Sequence, residues 1–152
     1  MFRGITAINL DAKGRLAVPT RYREQLQIVC NGQLVVTIDT EAACLLLYPL
    51  TQWEEIERKV QELPSFNQAA RRIQRLLIGH ATELEIDSIG RILLPQLLRD
   101  YAQLEKQIVL VGQGKKFEIW DEAQWQSGRK RWLDEEASRN AELPEYLKTL
   151  SL

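Results

Sequence analysis

The sequence predicts a mainly β fold with added helices, an α+β class, built from two copies of one unit that share a β-core. Three observations predict it. The stretch Asp11-Ala12-Lys13-Gly14-Arg15 is echoed 76 residues on by Asp87-Ser88-Ile89-Gly90-Arg91. Each copy lies between strand-like runs: Ile8-Asn9-Leu10 and Leu16-Ala17-Val18-Pro19 in the first, Leu84-Glu85-Ile86 and Ile92-Leu93-Leu94-Pro95 in the second. An aromatic pair, Tyr48 with Trp53, recurs as Trp120 with Trp125 at a spacing of 72. A unit of about 50 residues buries little apolar surface alone, so the copies are expected to pair as a pseudo-dimer.

In chain order, residues 4–10 read as a strand, with Ile5, Ala7 and Leu10 set against Thr6 and Ile8. Asp11 and Gly14 suit the first and fourth positions of a type I turn. The Asp carboxylate accepts from a backbone N–H two residues on. The Gly takes the left-handed conformation that closes a hairpin with a bulge. Pro19 opens a short helix, Thr20 to Gln27, from within its first turn, with Tyr22 and Leu26 inward and Arg21 and Arg23 facing away. Asn31-Gly32 marks a turn. Leu34 to Ile38 and Cys44 to Tyr48 read as strands. Thr51-x-x-Glu54 reads as a capping box for a helix carrying Trp53, Ile56, Val60 and Leu63 at helical spacing.

Pro64 ends that helix, and Ser65-x-x-Gln68 is expected to cap the next. Its apolar face comprises Phe66, Ala69, Ala70, Ile73, Leu76, Leu77 and His80, with Arg71, Arg72 and Arg75 off it. Thr82, Leu84 and Ile86 restart the unit. Pro95 to Gln103 answers the first short helix, and Ile108 to Val111 with Phe117 to Trp120 answer the later strands. Asp121-x-x-Gln124 caps a last helix to about Glu136, and a loose polar tail follows. The division expected is 4–53 for the first repeat, 54–79 for a helical connector, 80–125 for the second repeat, and 126–152 for the C-terminal helix and tail.

The chain has 152 residues, 45% of them hydrophobic, which suits a globular protein. No signal peptide is expected, and the apolar run from Ala42 to Tyr48 is too short to span a bilayer. Cys30 and Cys44, without Cys-x-x-Cys spacing, read as buried free thiols. These features predict a soluble cytoplasmic protein. Net charge is −1, but it is unevenly spread: residues 1–23 carry +4, 24–68 carry −5, 69–117 carry +3 and 118–152 carry −3. A neutral total therefore hides basic segments around both turns.

The paired Asp-x-x-Gly-Arg units, each followed by a strand ending in Val-Pro or Leu-Pro and a short helix, resemble the AbrB-type swapped-hairpin unit. The tandem form resembles the MraZ family of bacterial proteins. The residues that carry this are Met1-Phe2-Arg3-Gly4, Asp11 to Arg15, Val18-Pro19-Thr20-Arg21-Tyr22-Arg23, Leu45-Leu46-Leu47-Tyr48-Pro49 and Leu77-Ile78-Gly79-His80-Ala81. The likeness runs from Met1 to about Trp125. It implies a double-split β-barrel formed by two AbrB-like repeats, assembly into a homo-oligomeric ring, and a nucleoid-associated transcriptional regulator. Such a regulator would bind double-stranded DNA at repeated sites upstream of its own gene and the division and cell-wall cluster. It further implies motif turns at Asp11, Gly14 and Arg15 and at Asp87, Gly90 and Arg91, with a DNA-binding set of Arg3, Lys13, Arg15, Arg21 and Arg23. The second copy departs at two of these positions, with Ile89 for Lys13 and Leu97 for Arg21, so the reading role falls on the first turn.

Arg15 has two readings: a guanidinium aimed at phosphate or a guanine edge, or an ion pair with Asp11. Arg71, Arg72 and Arg75 read as a solvated or intersubunit face in preference to a second DNA surface. His80 has no second metal-ligand partner and reads as structural. No catalytic set or Gly-rich phosphate loop is present, so no enzyme, metal, cofactor, membrane partner or small-molecule substrate is expected. The competing function is an antitoxin-like interaction module whose basic loops meet an acidic protein.

Overall fold

Asp11 and Gly14 do form the expected turn, but its two arms part company. A computed structural model describes residues 1–139 and 143–150. The first arm, β1 (Phe2–Asn9), runs antiparallel to β7 (Gln107–Gly114) along its whole length, from Phe2 opposite Gly114 to Asn9 opposite Gln107. The second arm, β2 (Arg15–Ala17), pairs instead with β6 (Arg91–Leu93), the strand after the other turn. The expected hairpins are therefore absent as paired ladders, and only the tip is closed, by Asp11 N–H donating to Arg15 O at 3.0 Å. The second unit's first strand, β5 (Thr82–Glu85), likewise crosses to pair with β3 (Gln33–Ile38) of the first unit.

With β4 (Leu45–Pro49) and β8 (Phe117–Asp121), these strands make a six-stranded antiparallel sheet in the order β1-β7-β8-β4-β3-β5 and a two-stranded ribbon, β2-β6. The fold is mixed α+β, and the strands of the two repeats interleave. The main core draws on both layers: Leu16, Val18, Ile92 and Leu94 from the ribbon segments, and Leu34, Val36, Leu45, Leu47, Ile108, Leu110, Phe117 and Ile119 from the sheet. Full burial of each such side chain stabilises by about 1.5–3 kcal/mol. Phe2, Tyr22 and Phe117 cluster in it, with ring centroids 4.4 Å apart for Phe2–Phe117 and 4.9 Å for Tyr22–Phe117. From Phe2 to Leu10, just past β1, the inward positions include Phe2, Thr6, Ile8 and Leu10, so Leu10 shares a face with Ile8 rather than with Ile5, which is 56% exposed.

Two helices brace this core. The first, α1 (Thr20–Cys30), buries Tyr22 and Leu26 and extends past the expected Gln27. Pro19 is its N-cap rather than part of its first turn, and Asn31, left-handed at φ 55°, ends it. Gly32 N–H then donates to Leu26 O. The counterpart helix, Gln96–Tyr101, is shorter, 6 residues against 11. The other face of β3 and β4 carries Val35, Leu46 and Tyr48, packed with Trp53 of α2 (Leu50–Gln61).

Two expected caps moved. The second helix, α2, starts at Leu50 behind Pro49, whose fixed φ sets the start, so Thr51 lies inside the helix and is no cap. In α3 (Gln68–Ile73) the cap is Asn67, which accepts from Ala70 N–H at 3.1 Å, not Ser65. Phe66 consequently precedes the helix and is 90% exposed instead of joining its apolar face. The third helix continues as a π-helical turn, Gln74–Ile78. Side chains meet its carbonyls there: Thr37 Oγ1 donates to Leu77 O and His80 Nδ1–H to Leu76 O, both at 2.7 Å. That gives His80 a structural bond. The connector leads through β5 and β6 to α4 (Gln96–Tyr101).

A second compact unit, Ala123–Leu152, follows the first, Met1–Glu122. The helix α5 (Glu122–Ala137) carries Trp125 and Trp132 edge to face at 5.7 Å. Asp121, before it, is buried and accepts from Glu105 N–H at 3.1 Å. Where a loose tail was expected, Glu145–Lys148 form a short helix, α6. Residues 140–142 and 151–152 of that tail lie outside the described residues.

Candidate nucleic-acid interface

Both turns are fixed by the same bonds. Asp11 Oδ1 accepts from Lys13 N–H at 3.0 Å and Arg15 N–H at 2.9 Å, and Gly14 N–H donates to Asp11 O at 3.0 Å. Asp11 Oδ2 takes Arg15 Nε at 2.7 Å. Gly14 has φ +89°, where a side chain would be strained. The second turn repeats this: Asp87 accepts from Ile89 N–H at 3.0 Å, Arg91 N–H at 2.8 Å and Arg91 Nε at 3.1 Å, and Gly90 also has φ +89°.

The bonds set the electrostatics. The Arg15 N–H bond is the largest influence holding the Asp11 carboxyl below the usual carboxylate range, at about 2. Partial desolvation opposes it, and the Arg15 guanidinium and Lys13 N–H add to it. Asp87 is lowered in the same way, first by Arg91 N–H. Each Asp is thus an anchor whose acceptors are already used, and each Arg is oriented through Nε. Among the described residues, the Nη groups of Arg15 and the ammonium of Lys13 have no protein acceptor, and they are available to a phosphate or a base edge.

The other expected contacts separate into two places. Arg3 and Arg21 line one shallow pocket with Tyr22, Gly4 and Gln25. Arg21 Nη2 donates to Thr6 Oγ1 at 2.7 Å and its guanidinium lies 4.6 Å over the Tyr22 ring. The Tyr22 hydroxyl donates to Arg3 O. Arg23 goes elsewhere and does not face away: Nε donates to Val18 O at 2.6 Å, and the guanidinium packs on Gly90 of the other repeat's turn. Arg99, which the sequence did not single out, does the same to Gly14. Their 76-residue spacing was the available signal, but what they touch was not legible.

Arg71, Arg72 and Arg75 are exposed around a groove with Gln68 and Leu76. Cys30 and Cys44 are free thiols, Cys30 half-buried and Cys44 buried. Asp39, Cys44 and Glu118 bring one ligand atom each within 4.8 Å. There the thiol donates to Asp39 Oδ2 at 3.5 Å, and burial, followed by the Glu118 and Asp39 charges, pushes its pKa up. No helix among the described residues is long and apolar enough to cross a membrane.

Sequence comparison agrees with this internal duplication. The family described as "MraZ protein, putative antitoxin-like" matches twice, over residues 1–76 and 77–143. The chain is 62% identical to the transcriptional regulator MraZ of Legionella pneumophila (strain Corby), across the full length of both chains. It is 57% identical, again across both full lengths, to the proteins of that name from Coxiella burnetii (strain Dugway 5J108-111) and Alkalilimnicola ehrlichii. The chain belongs to the MraZ family.

Proposed function

We propose that this protein is a DNA-binding transcriptional regulator that meets duplex DNA through its first turn. The observation that carries the reading is Arg15: Nε is fixed on Asp11 at 2.7 Å while its Nη groups have no protein acceptor among the described residues. An arginine oriented in this way loses less freedom on binding a guanine edge or a phosphate. Lys13 on the same turn, and Arg3 with Arg21 at their shared pocket, supply further phosphate contacts. Arg23 has Nε on Val18 and its plane on Gly90, so it holds a turn rather than meeting DNA. Relatives named transcriptional regulators support the functional class.

The sheet and ribbon are read as the two parts of a double-split β-barrel made by AbrB-like repeats at 4–53 and 80–125, with 54–79 as connector and 126–152 as an appendage. The crossed pairing of β1 with β7 and of β5 with β3 supports that reading. One subunit offers few phosphate contacts, so a homo-oligomeric ring would gain by avidity over repeated upstream sites. The expected sites are upstream of the protein's own gene and of the division and cell-wall cluster, which makes the protein nucleoid-associated. It is read as a non-enzyme, needing no metal, cofactor or small-molecule substrate.

Gel-shift titration on the gene's own upstream region at two salt concentrations, beside a random duplex, tests this. Tighter binding to the upstream region, weakened by salt, is the expected result. No affinity for either duplex at low salt would favour the antitoxin-like alternative, in which the basic turns meet an acidic protein.

A further inference from the structure

The two turns are held crosswise, each by the other repeat. Leu94 N–H, from the second repeat, donates to Gly14 O at 3.0 Å, and Val18 N–H, from the first, donates to Gly90 O at 2.8 Å. Over each glycine lies an arginine of the opposite repeat. A Cβ on Gly14 would lie 2.5 Å from Nε and 2.8 Å from Nη1 of Arg99, and a Cβ on Gly90 would lie 2.6 Å from Nη1 of Arg23. Both arginines are half-buried and tethered through Nε, Arg99 to Leu94 O at 3.0 Å and Arg23 to Val18 O at 2.6 Å. A side chain at either glycine would be strained at φ +89° and would have to displace the arginine that lies on it. Arg99 also shares a groove with Asp11 and Ala12, so it reaches the flank of the first turn.

We propose that Arg99, in the second repeat, is a positioning residue for DNA binding by the first: it presses on Gly14 and so fixes the direction in which Lys13 and Arg15 project. This rests on the first turn's being the part that meets DNA. It assigns the second repeat a task that its departures from the first otherwise leave open. Leu97 and Ile89 replace basic residues there, while Arg99 keeps its counterpart's chemistry. The crossing also gives an order of effects opposite to sequence proximity. Arg23 lies eight residues from Arg15 yet serves the second turn. Arg99 lies in the other repeat and serves the first.

The test uses the full chain with labelled duplex from the gene's upstream region and a random duplex of the same length, by fluorescence anisotropy at two salt concentrations. Arg99→Ala, Arg99→Lys, Arg23→Ala and Arg15→Ala are compared, with melting temperature and light scattering for each. Arg99→Ala is expected to weaken upstream binding at least about twofold, the lower range of coupling between contacting residues, with the salt slope unchanged. Arg99→Lys should fail to rescue, because an ammonium cannot lie flat on Gly14 while donating from an Nε. Arg23→Ala removes matching contacts on the other turn, so it is the control for general destabilisation. It should lose several-fold less affinity at a similar melting temperature.

Equal losses for Arg99→Ala and Arg23→Ala would overturn the proposal. So would a slope lowered by about 0.9 in Arg99→Ala, since that marks a direct phosphate contact. If Arg15→Ala loses binding while Arg99→Ala binds as the parent does, the positioning role is wrong and the reading by the first turn stands. If Arg15→Ala and the parent bind alike, both fall together.

Discussion

Arg15 stands directly opposite Leu93 in the β2–β6 ladder, and Arg91 stands opposite Ala17. Opposed residues share a face of the ribbon, and Leu16 and Ile92 between them point into the core. The outward face therefore holds two arginines on one diagonal. Their surroundings differ by repeat. Around Arg15 the matched positions are Lys13, Ala17 and Arg21; around Arg91 they are Ile89, Leu93 and Leu97, exposed at 60%, 53% and 67%. The strand order and the turn geometry repeat between the halves, and the chemistry displayed on them does not.

That asymmetry can be reversed by substitution. Ile89→Lys with Leu97→Arg gives the second repeat the first's basic positions and leaves the Asp, Gly and Arg of both turns in place, with the main-chain N–H at 89 still free to donate to Asp87. Because Arg91 shares the ribbon face with Arg15, the added charges would come within reach of the same duplex. Affinity for random DNA should rise, and the slope of log K against log salt should steepen by about 1.8, or 0.9 for each phosphate met. An unchanged slope would mean that the second turn lies away from DNA. Anisotropy titrations over several salt concentrations measure it.

The crossed strands predict that neither repeat stands alone. In a chain ending at residue 63, β1 has lost β7 and β3 has lost β5; in one starting at residue 80, β7 and β5 are equally bare. Leu16 and Ile92, each nearly fully buried, would also be exposed. Chains of 1–63 and 80–152 should each lack a cooperative thermal transition and regain one on mixing. A cooperative, monomeric transition for either alone would refute the shared core.

The turns were legible in the sequence because Asp and Gly act on their own neighbours: the carboxylate meets N–H groups two and four residues on, and the glycine's φ is local. The partner of each arm was not legible, since hairpin closure and arm exchange use the same tip and differ only in contacts far apart in the chain, from Val36 with Thr82 to Phe2 with Gly114. Thr51 and Ser65 fit capping patterns, yet Pro49 and Asn67 took those places, because a fixed φ and a nearer side chain outcompeted the pattern. The basic set suffered from the same limit. Arg21 and Arg23 look alike in a helix, but one lies on Tyr22 and the other on a glycine of the opposite repeat. A residue's charge is written in the sequence, and the backbone it rests against is not.

The Asp11 lock has a pH signature. Its carboxyl sits at about 2, below the ordinary 3.8, first because Arg15 N–H donates to it. A carboxylate lowered on folding contributes stability that is complete above its ordinary value and is lost as pH falls through the folded one. The turn should therefore stay closed through mild acid and open only near pH 2. Carboxyl NMR titration should place Asp11 near 2 and Asp87 below the ordinary value. In Arg15→Ala the main-chain donors at 13 and 15 remain, so Asp11 should still titrate low; a return to 3.8 would show that the guanidinium dominates.

The function turns on Arg15 against Arg91. Both are held by Nε on an Asp, at 2.7 Å and 3.1 Å, and both are half-buried on the ribbon's outward face. An ion pair this exposed contributes about 0–1 kcal/mol to folding, so each can be removed with little loss of stability. Only Arg15 has a basic neighbour on its turn and a basic residue at the matched helix position. Arg15→Ala should weaken binding to the upstream region by about 1–3 kcal/mol and flatten the preference over random DNA. Arg91→Ala should do much less. Lys13→Ala should weaken both duplexes alike and lower the salt slope by about one unit. Melting temperature and oligomer size, measured on each variant, separate a lost contact from a lost assembly. Equal losses at Arg15 and Arg91, or losses that follow disassembly, would remove the reading role from the first turn.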